Sequence, residues 1–160
     1  MISGVDIAAM IDTEEQLEFW DHLPQLKKEN TTDLFQWGDF VSHAGLDLKW
    51  KIECDAITDH QWEALAKMIM DYQTRPFYKV EGIPRGGMKL AEKLAPYASG
   101  NPDDFTMIVD DVYTTGTSFK EYIDKHHPDW LAAMGYKWVV FARQQPKNGV
   151  RALFTMPGLT

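Results

Sequence analysis

A single cysteine, Cys54, stands in a chain of 160 residues. One thiol excludes an internal disulfide and any zinc site built on several cysteines. Its simplest home is a reducing cytoplasm. Long apolar runs are also missing, and nothing approaches the roughly 20 consecutive residues that span a bilayer. The first residues (MISGVDIAAMIDTEE) turn acidic early and lack the basic start and apolar centre of a secretory signal. Basic residues are in deficit, with 16 Lys and Arg against 24 Asp and Glu and a net charge of -8. Such a chain gains nothing from counterion release on a polyanion, so nucleic acid is not an expected partner, and neither is a membrane. The charge leaves room for a small anionic ligand, which local amides, a few cations and a metal ion hold.

What is present is ordinary globular material, 44% hydrophobic and 25% charged, with the length of one domain and enough core to fold without staples. Thr13 and Gln16 fit a capping box at the start of a helix with Leu17 and Trp20 on one face. A hairpin is predicted next. Phe35, Trp37 and Val41 line one strand, the turn falls near His43-Ala44-Gly45, and Leu48, Trp50, Ile52 and Cys54 alternate with charged residues. Thr58 and Gln61 cap a second helix that runs to about Tyr72. From there strands alternate with helices. Strands are expected at Phe77–Ile83, Phe105–Asp110, Lys137–Ala142 and Val150–Met156, and helices at Met88–Tyr97 and Ser118–Lys125. That order implies an α/β fold, a parallel sheet flanked by helices, with ligands beyond the carboxyl ends of the strands. The whole chain, 1–160, reads as a single domain with an N-terminal helix and hairpin part (1–73) and a core (77–156).

The chemistry concentrates in TMIVDDVYTTGTS, Thr106–Ser118. An apolar strand delivers two carboxylates, Asp110 and Asp111. Hydroxyls at Thr114, Thr115, Thr117 and Ser118 then surround Gly116 where a helix begins. Helix N-termini offer free N–H groups and partial positive charge to a phosphate, and glycine lets backbone approach it. The carboxylates suit a neighbouring diol, or water on a Mg2+ ion. A phosphorylated sugar combines these features. A capped helix after a strand would need no such combination of acids, hydroxyls and glycine. The string is neither a Walker A loop nor a Rossmann fingerprint.

This string resembles the motif with which type I phosphoribosyltransferases bind 5-phosphoribosyl 1-pyrophosphate (PRPP), departing only at Tyr113, where an aliphatic residue is usual. The resemblance reaches orotate phosphoribosyltransferases over about Phe35 to Gly149. GDFVSHAGLDLKWKIE is similar to their N-terminal hood, VEGIPRGGMKLA to their pyrophosphate loop, and VVFARQQPKNG to the strand whose arginine meets the orotate carboxylate. It implies that Asp110 and Asp111 hold the ribose hydroxyls, with Mg2+ nearby through water or PRPP. Thr114, Thr115, Gly116, Thr117 and Ser118 would hold the 5′-phosphate, and Arg85, Gly86 and Gly87 the pyrophosphate. His43 and Arg143 would meet the base. A homodimer is compatible with this reading.

One region departs from the family. Only Met88–Asp104 separates the pyrophosphate loop from the PRPP strand, where the family fits a helix, another strand and a long mobile loop with a catalytic lysine. Two readings stay open. One is an enzyme transferring the phosphoribosyl group to a nitrogenous base. The other is a non-catalytic PRPP- or nucleotide-binding regulatory protein. His126 and His127 are adjacent and read as helix-end cations rather than metal ligands. The tryptophans, Trp37 and Trp50 included, read as core.

Overall fold

The computed structural model describes residues 33–42, 44–131 and 134–156. The expected first helix, with Thr13, Gln16 and Trp20, lies outside the described residues, and so does His43. Among the described residues there are two sheets. Strands β1 (Phe35–Val41) and β2 (Asp47–Ile52) form the antiparallel hairpin. Strands β3 (Val80–Gly82), β4 (Met107–Tyr113), β5 (Tyr136–Ala142) and β6 (Val150–Thr155) form a parallel sheet in that order. Helices α1 (Asp59–Tyr72), α2 (Met88–Leu94) and α3 (Thr117–His126) complete the described fold. None of these helices is long and apolar enough to cross a membrane.

Period-two alternation in the central strands splits the core across the sheet. Met107, Val109, Trp138 and Val140 meet α1 and α2 through Trp62, Ala66, Ile69, Leu90 and Leu94. Ile108, Val139 and Ala142 meet Phe119, Tyr122 and Ile123 of α3. The capping box at Thr58 and Gln61 forms as expected, with both reciprocal bonds made. Trp138 buries its indole and satisfies its Nε1–H on Gln73 Oε1 at 2.9 Å, which ties β5 to the end of α1.

Strand β2 ends at Ile52, with Cys54 in a 3-10 turn, and the ends of β5, β6 and α3 shift by one residue from the sequence reading, while three differences are larger. The first parallel strand keeps only Val80–Gly82 as ladder, because the carbonyls of Phe77 and Tyr78 accept from Ser99 and Gly100 at 2.8 and 3.0 Å. Helix α2 stops at Leu94 and tightens into a single 3-10 turn over Ala95–Tyr97, since Pro96 has no N–H to continue it. Strand β4 does not end at Asp110 but continues to Tyr113, paired with β5 through Val112↔Phe141 and Tyr113↔Ala142. The loop after it therefore shrinks to Thr114–Gly116. Of the tryptophans assigned to core, Trp62 and Trp138 are buried, but Trp37 is 83% exposed. It is the cross-strand partner of Trp50, so the two rings share one face of the hairpin.

Candidate phosphoribosyl-binding site

The carboxyl ends of β3 and β4 open onto a cavity of about 510 Å3. Its walls are Asp110 and Asp111, the Thr114–Ser118 loop, Pro84 and Gly86 of the β3–α2 turn, Ser42 and Ala44 of the hairpin turn, and the cavity-facing side of α3. The acids, the hydroxyls and the helix N-terminus of the Thr106–Ser118 string thus share one cavity.

Gly116 sets the geometry of the loop. Its φ of +86° is left-handed, which L side chains rarely adopt, and it serves as the N-cap of α3. The hydroxyls of Thr115 and Thr117 lie 2.7 Å apart beside it. Two contacts pin the loop from behind. Gln144 Nε2 donates to the Thr114 carbonyl, and the Lys147 N–H donates to the Tyr113 hydroxyl at 3.2 Å. Tyr113, the departure from the family motif, is buried under Gly116, whose added Cβ would lie 3.0 Å from the tyrosine oxygen. The aromatic ring fills the floor of the loop and links it to the β5–β6 connection.

The two acids occupy different settings. Asp110 is only 6% exposed, and its Oδ1 accepts from the Asp111 N–H at 2.9 Å. Burial first, and the Asp111 carboxylate beside it second, push the Asp110 carboxyl up to about 8. Asp111 is half-buried, and its Oδ1 accepts from the Val112 N–H at 2.7 Å. Asp110 is buried although it follows the apolar run, because β4 continues past it and carries it into the sheet. Sugar hydroxyls or a hydrated cation would favour its ionised form, since both replace the lost hydration of the charge. Among the described residues no cluster of three or more His, Cys, Asp or Glu side chains is arranged to hold a metal. The acid pair fits Mg2+ only where water and ligand oxygens complete the shell, as that ion prefers. Cys54, buried on the hairpin side, stays a thiol, because burial and then the Asp111 charge push it well above its usual range.

The β3–α2 turn is closed by Gly87 N–H to the Ile83 carbonyl at 2.8 Å and by Ile83 N–H to the Val109 carbonyl at 2.9 Å. The Pro84–Arg85 peptide is cis. Gly86 lies against Asp111 so closely that an added Cβ would sit 2.5 Å from the carboxylate carbon. Only glycine lets the turn and the acid meet. The three residues assigned to pyrophosphate separate here. Gly86 lines the cavity. The Gly87 amide is already bonded within the turn, because the turn closes on it. Arg85 is exposed and is not part of the cavity wall.

Arg143 is not the exposed strand-end arginine that its position suggests. It is 2% exposed, its N–H donates to the Tyr113 carbonyl at 2.8 Å, and its guanidinium lies 3.5 Å above the Trp50 ring. Nε and Nη2 are buried without a hydrogen-bond partner. Burial pushes the group below its usual range, yet an arginine stays charged under such a shift. His127 meets Glu81 at 2.5 Å and stacks on Trp130, and His126 packs on Tyr122, so the two histidines do not converge on a metal. Sequence reasoning missed the Trp50–Arg143 stack and the placement of Cys54 next to Asp111. The β2 alternation placed Trp50 on the same face as Cys54, but it carried no signal of the strand across the fold.

No family model and no curated protein matches the chain in sequence. Solved structures do match in shape. The chain is similar to orotate phosphoribosyltransferase from Aeropyrum pernix, with a TM-score of 0.57 and 20% identity over 76% of this chain and 88% of that one. It is similar to UMP synthase from Leishmania donovani, with a TM-score of 0.60 and 15% identity over 76% of this chain and 33% of that one. It is also similar to a phosphoribosyltransferase from Corynebacterium diphtheriae, with a TM-score of 0.54 and 11% identity over 73% of this chain and 88% of that one. The parallel sheet with its flanking helices and N-terminal hairpin is the type I phosphoribosyltransferase fold.

Proposed function

We propose that the chain binds Mg-PRPP and transfers its 5-phosphoribosyl group to a nitrogenous base of the orotate type, releasing pyrophosphate. The observation that supports this reading best is the convergence of Asp110, Asp111, the Thr114–Ser118 loop and Gly86 on one cavity of about 510 Å3. The amides and hydroxyls at the start of α3 receive the 5′-phosphate. The carboxylates accept from the ribose hydroxyls and fix the ring. The turn at Gly86 then lies beside the pyrophosphate end, and Arg143, assigned to the base, is buried next to the loop and is not part of the cavity wall. In the reaction the bond from C1′ to the pyrophosphate oxygen breaks and the leaving group takes the electron pair, while the base nitrogen bonds to C1′ and its proton passes to solvent or to the released pyrophosphate. The chain's own residues contribute position and charge rather than a nucleophile. Asp110 and Asp111 would hold Mg2+ through water, and the ion would supply charge neutralisation to the leaving group.

The second reading, PRPP or nucleotide binding without turnover, draws support from one region. Between α2 and β4 the chain makes a 3-10 turn at Ala95–Tyr97 and hydrogen-bonded turns around Ser99–Asp104, with no strand and no long loop. Calorimetry with Mg-PRPP, followed by a pyrophosphate-release assay across bases, tests both. Asp110→Asn combined with Asp111→Asn should weaken PRPP by more than about 100-fold, the equivalent of ~2.7 kcal/mol, while far-UV circular dichroism stays native. Unchanged PRPP affinity in that variant would place the sugar elsewhere. PRPP binding without release of pyrophosphate would select the second reading.

A further inference from the structure

The cavity wall is short of positive charge for a ligand with two anionic ends. Of the residues assigned to pyrophosphate, Arg85 is exposed and off the wall, and the Gly87 amide is bonded within its turn. Asp110, Asp111 and Glu121 line the cavity, and among the described residues Lys125 is the one Lys or Arg that does. It stands on α3, which lines the cavity with Thr117, Ser118, Glu121, Tyr122 and Lys125. That spacing is one stripe of a helix, so the cavity follows α3 for about 12 Å at ~1.5 Å per residue, well past the phosphate loop. The far end of α3 is fixed beside β3, where His127 Nε2 meets Glu81 Oε2 at 2.5 Å. Pro84, Tyr122 and His126 line both this cavity and the neighbouring hollow along β3, which sets this flank of α3 opposite the β3–α2 turn. A helical side chain leans toward the N-terminus of its helix, so the Lys125 stem runs toward the loop rather than away from it. Lys120 on the same helix is paired with Asp124 at 2.5 Å, whereas Lys125 makes no ion pair with a described residue.

We propose that Lys125 is the cationic side chain that meets the pyrophosphate end of PRPP. The inference rests on the phosphoribosyl reading and deepens it by naming a binding residue outside the motif. Amides and hydroxyls in the first turn of α3 serve the 5′-phosphate, and the field of a helix terminus fades within that turn. The second anionic group therefore draws its charge from elsewhere in the wall. An ammonium on a flexible stem is a point charge that follows a group which is bound and then released. As the bond to C1′ breaks, negative charge grows on the pyrophosphate, and a cation beside it favours the transition state over the ground state.

The test compares ribose 5-phosphate, which lacks the pyrophosphate, with PRPP, both in Mg2+. Calorimetry is run on the full chain and on Lys125→Gln, Lys125→Arg and Lys120→Gln. Lys125→Gln should weaken PRPP about tenfold, the size of one charge-assisted contact, and leave ribose 5-phosphate within about twofold. Lys125→Arg keeps the charge and should recover most of the loss. Lys120→Gln removes the same charge from the same helix outside the cavity wall, and should leave both ligands within about twofold of the parent. Added salt should weaken PRPP less in Lys125→Gln than in the unsubstituted chain, since one screened contact is gone. Lys125 is exposed, so its variants should melt with the parent. Equal losses on the two ligands, a loss matched by Lys120→Gln, or unchanged PRPP affinity would overturn the proposal and leave Lys125 as a helix-end cation. Failure of the unsubstituted chain to bind either ligand would instead bring down the phosphoribosyl reading, and this assignment with it.

Discussion

Two strand–turn–helix arms face each other across the cavity, and they use glycine for opposite reasons. In the β4–α3 arm Gly116 is needed for conformation, since its φ of +86° turns the chain into the helix. In the β3–α2 arm Gly86 has an unremarkable φ and is needed for space, since any side chain would strike the Asp111 carboxylate. The first arm presents groups to a ligand. The second mainly brings backbone up to the first. A Gly-rich turn is therefore not by itself an anion cradle, and the bonded amide of Gly87 shows the difference.

The sharpest way to break this comparison is to give each arm a methyl group. Gly86→Ala should displace the Asp111 carboxylate and weaken PRPP by about tenfold or more, equivalent to at least ~1.4 kcal/mol. Gly116→Ala should cost stability first, about 1–2 kcal/mol for forcing an L residue into the left-handed region, with a smaller loss of PRPP affinity. Thermal melts and calorimetry on the two variants give the ordering. A larger binding loss in Gly116→Ala would show that the loop conformation, rather than the approach of the two arms, controls the site.

The next largest effect concerns Asp110. Its carboxyl is raised from 3.8 to about 8 in the folded chain, so the native state keeps a proton that the unfolded chain releases above pH 4. Stability should therefore fall as pH rises from about 4 to about 8, then level off, because over that window the unfolded state binds fewer protons. Asp110→Asn cannot ionise and should lose this slope. Its advantage in melting temperature, measured with chelator and without ligand, should be larger at pH 8 than at pH 5. The gain should be at least the roughly 2–4 °C that ~1 kcal/mol is worth in a chain of this size. Parallel curves for the two proteins would mean that Asp110 is ionised throughout.

The smallest effect belongs to the loop floor. Tyr113→Phe removes the acceptor for the Lys147 N–H and keeps the ring under Gly116. Stability should fall by about 0.5–1.5 kcal/mol, the usual worth of one hydrogen bond, with PRPP affinity nearly unchanged. A large loss of affinity would show that the tether to the β5–β6 connection, and not the ring, shapes the loop.

The residues that determined most by themselves were those whose meaning is local. The alternation from Leu48 to Ile52, the Thr58–Gln61 box, the β-branched run before Asp110 and the hydroxyls around Gly116 each specify their conformation within a few residues. Together they gave the α/β order and the cavity-lining string. Where the chain's partners are distant, the sequence was silent. Strand β4 runs past its acids because β5 pairs with it there, and this buries Asp110. Arg143 is buried because Trp50, on a strand far away in sequence, folds over it. Gly87 bonds within its turn because that turn packs on Val109. Burial and pairing are sums over contacts between segments remote in the chain, and pKa values and hydrogen-bond satisfaction follow from them. Local pattern thus named the chemistry available, and tertiary contact decided which groups are free to use it.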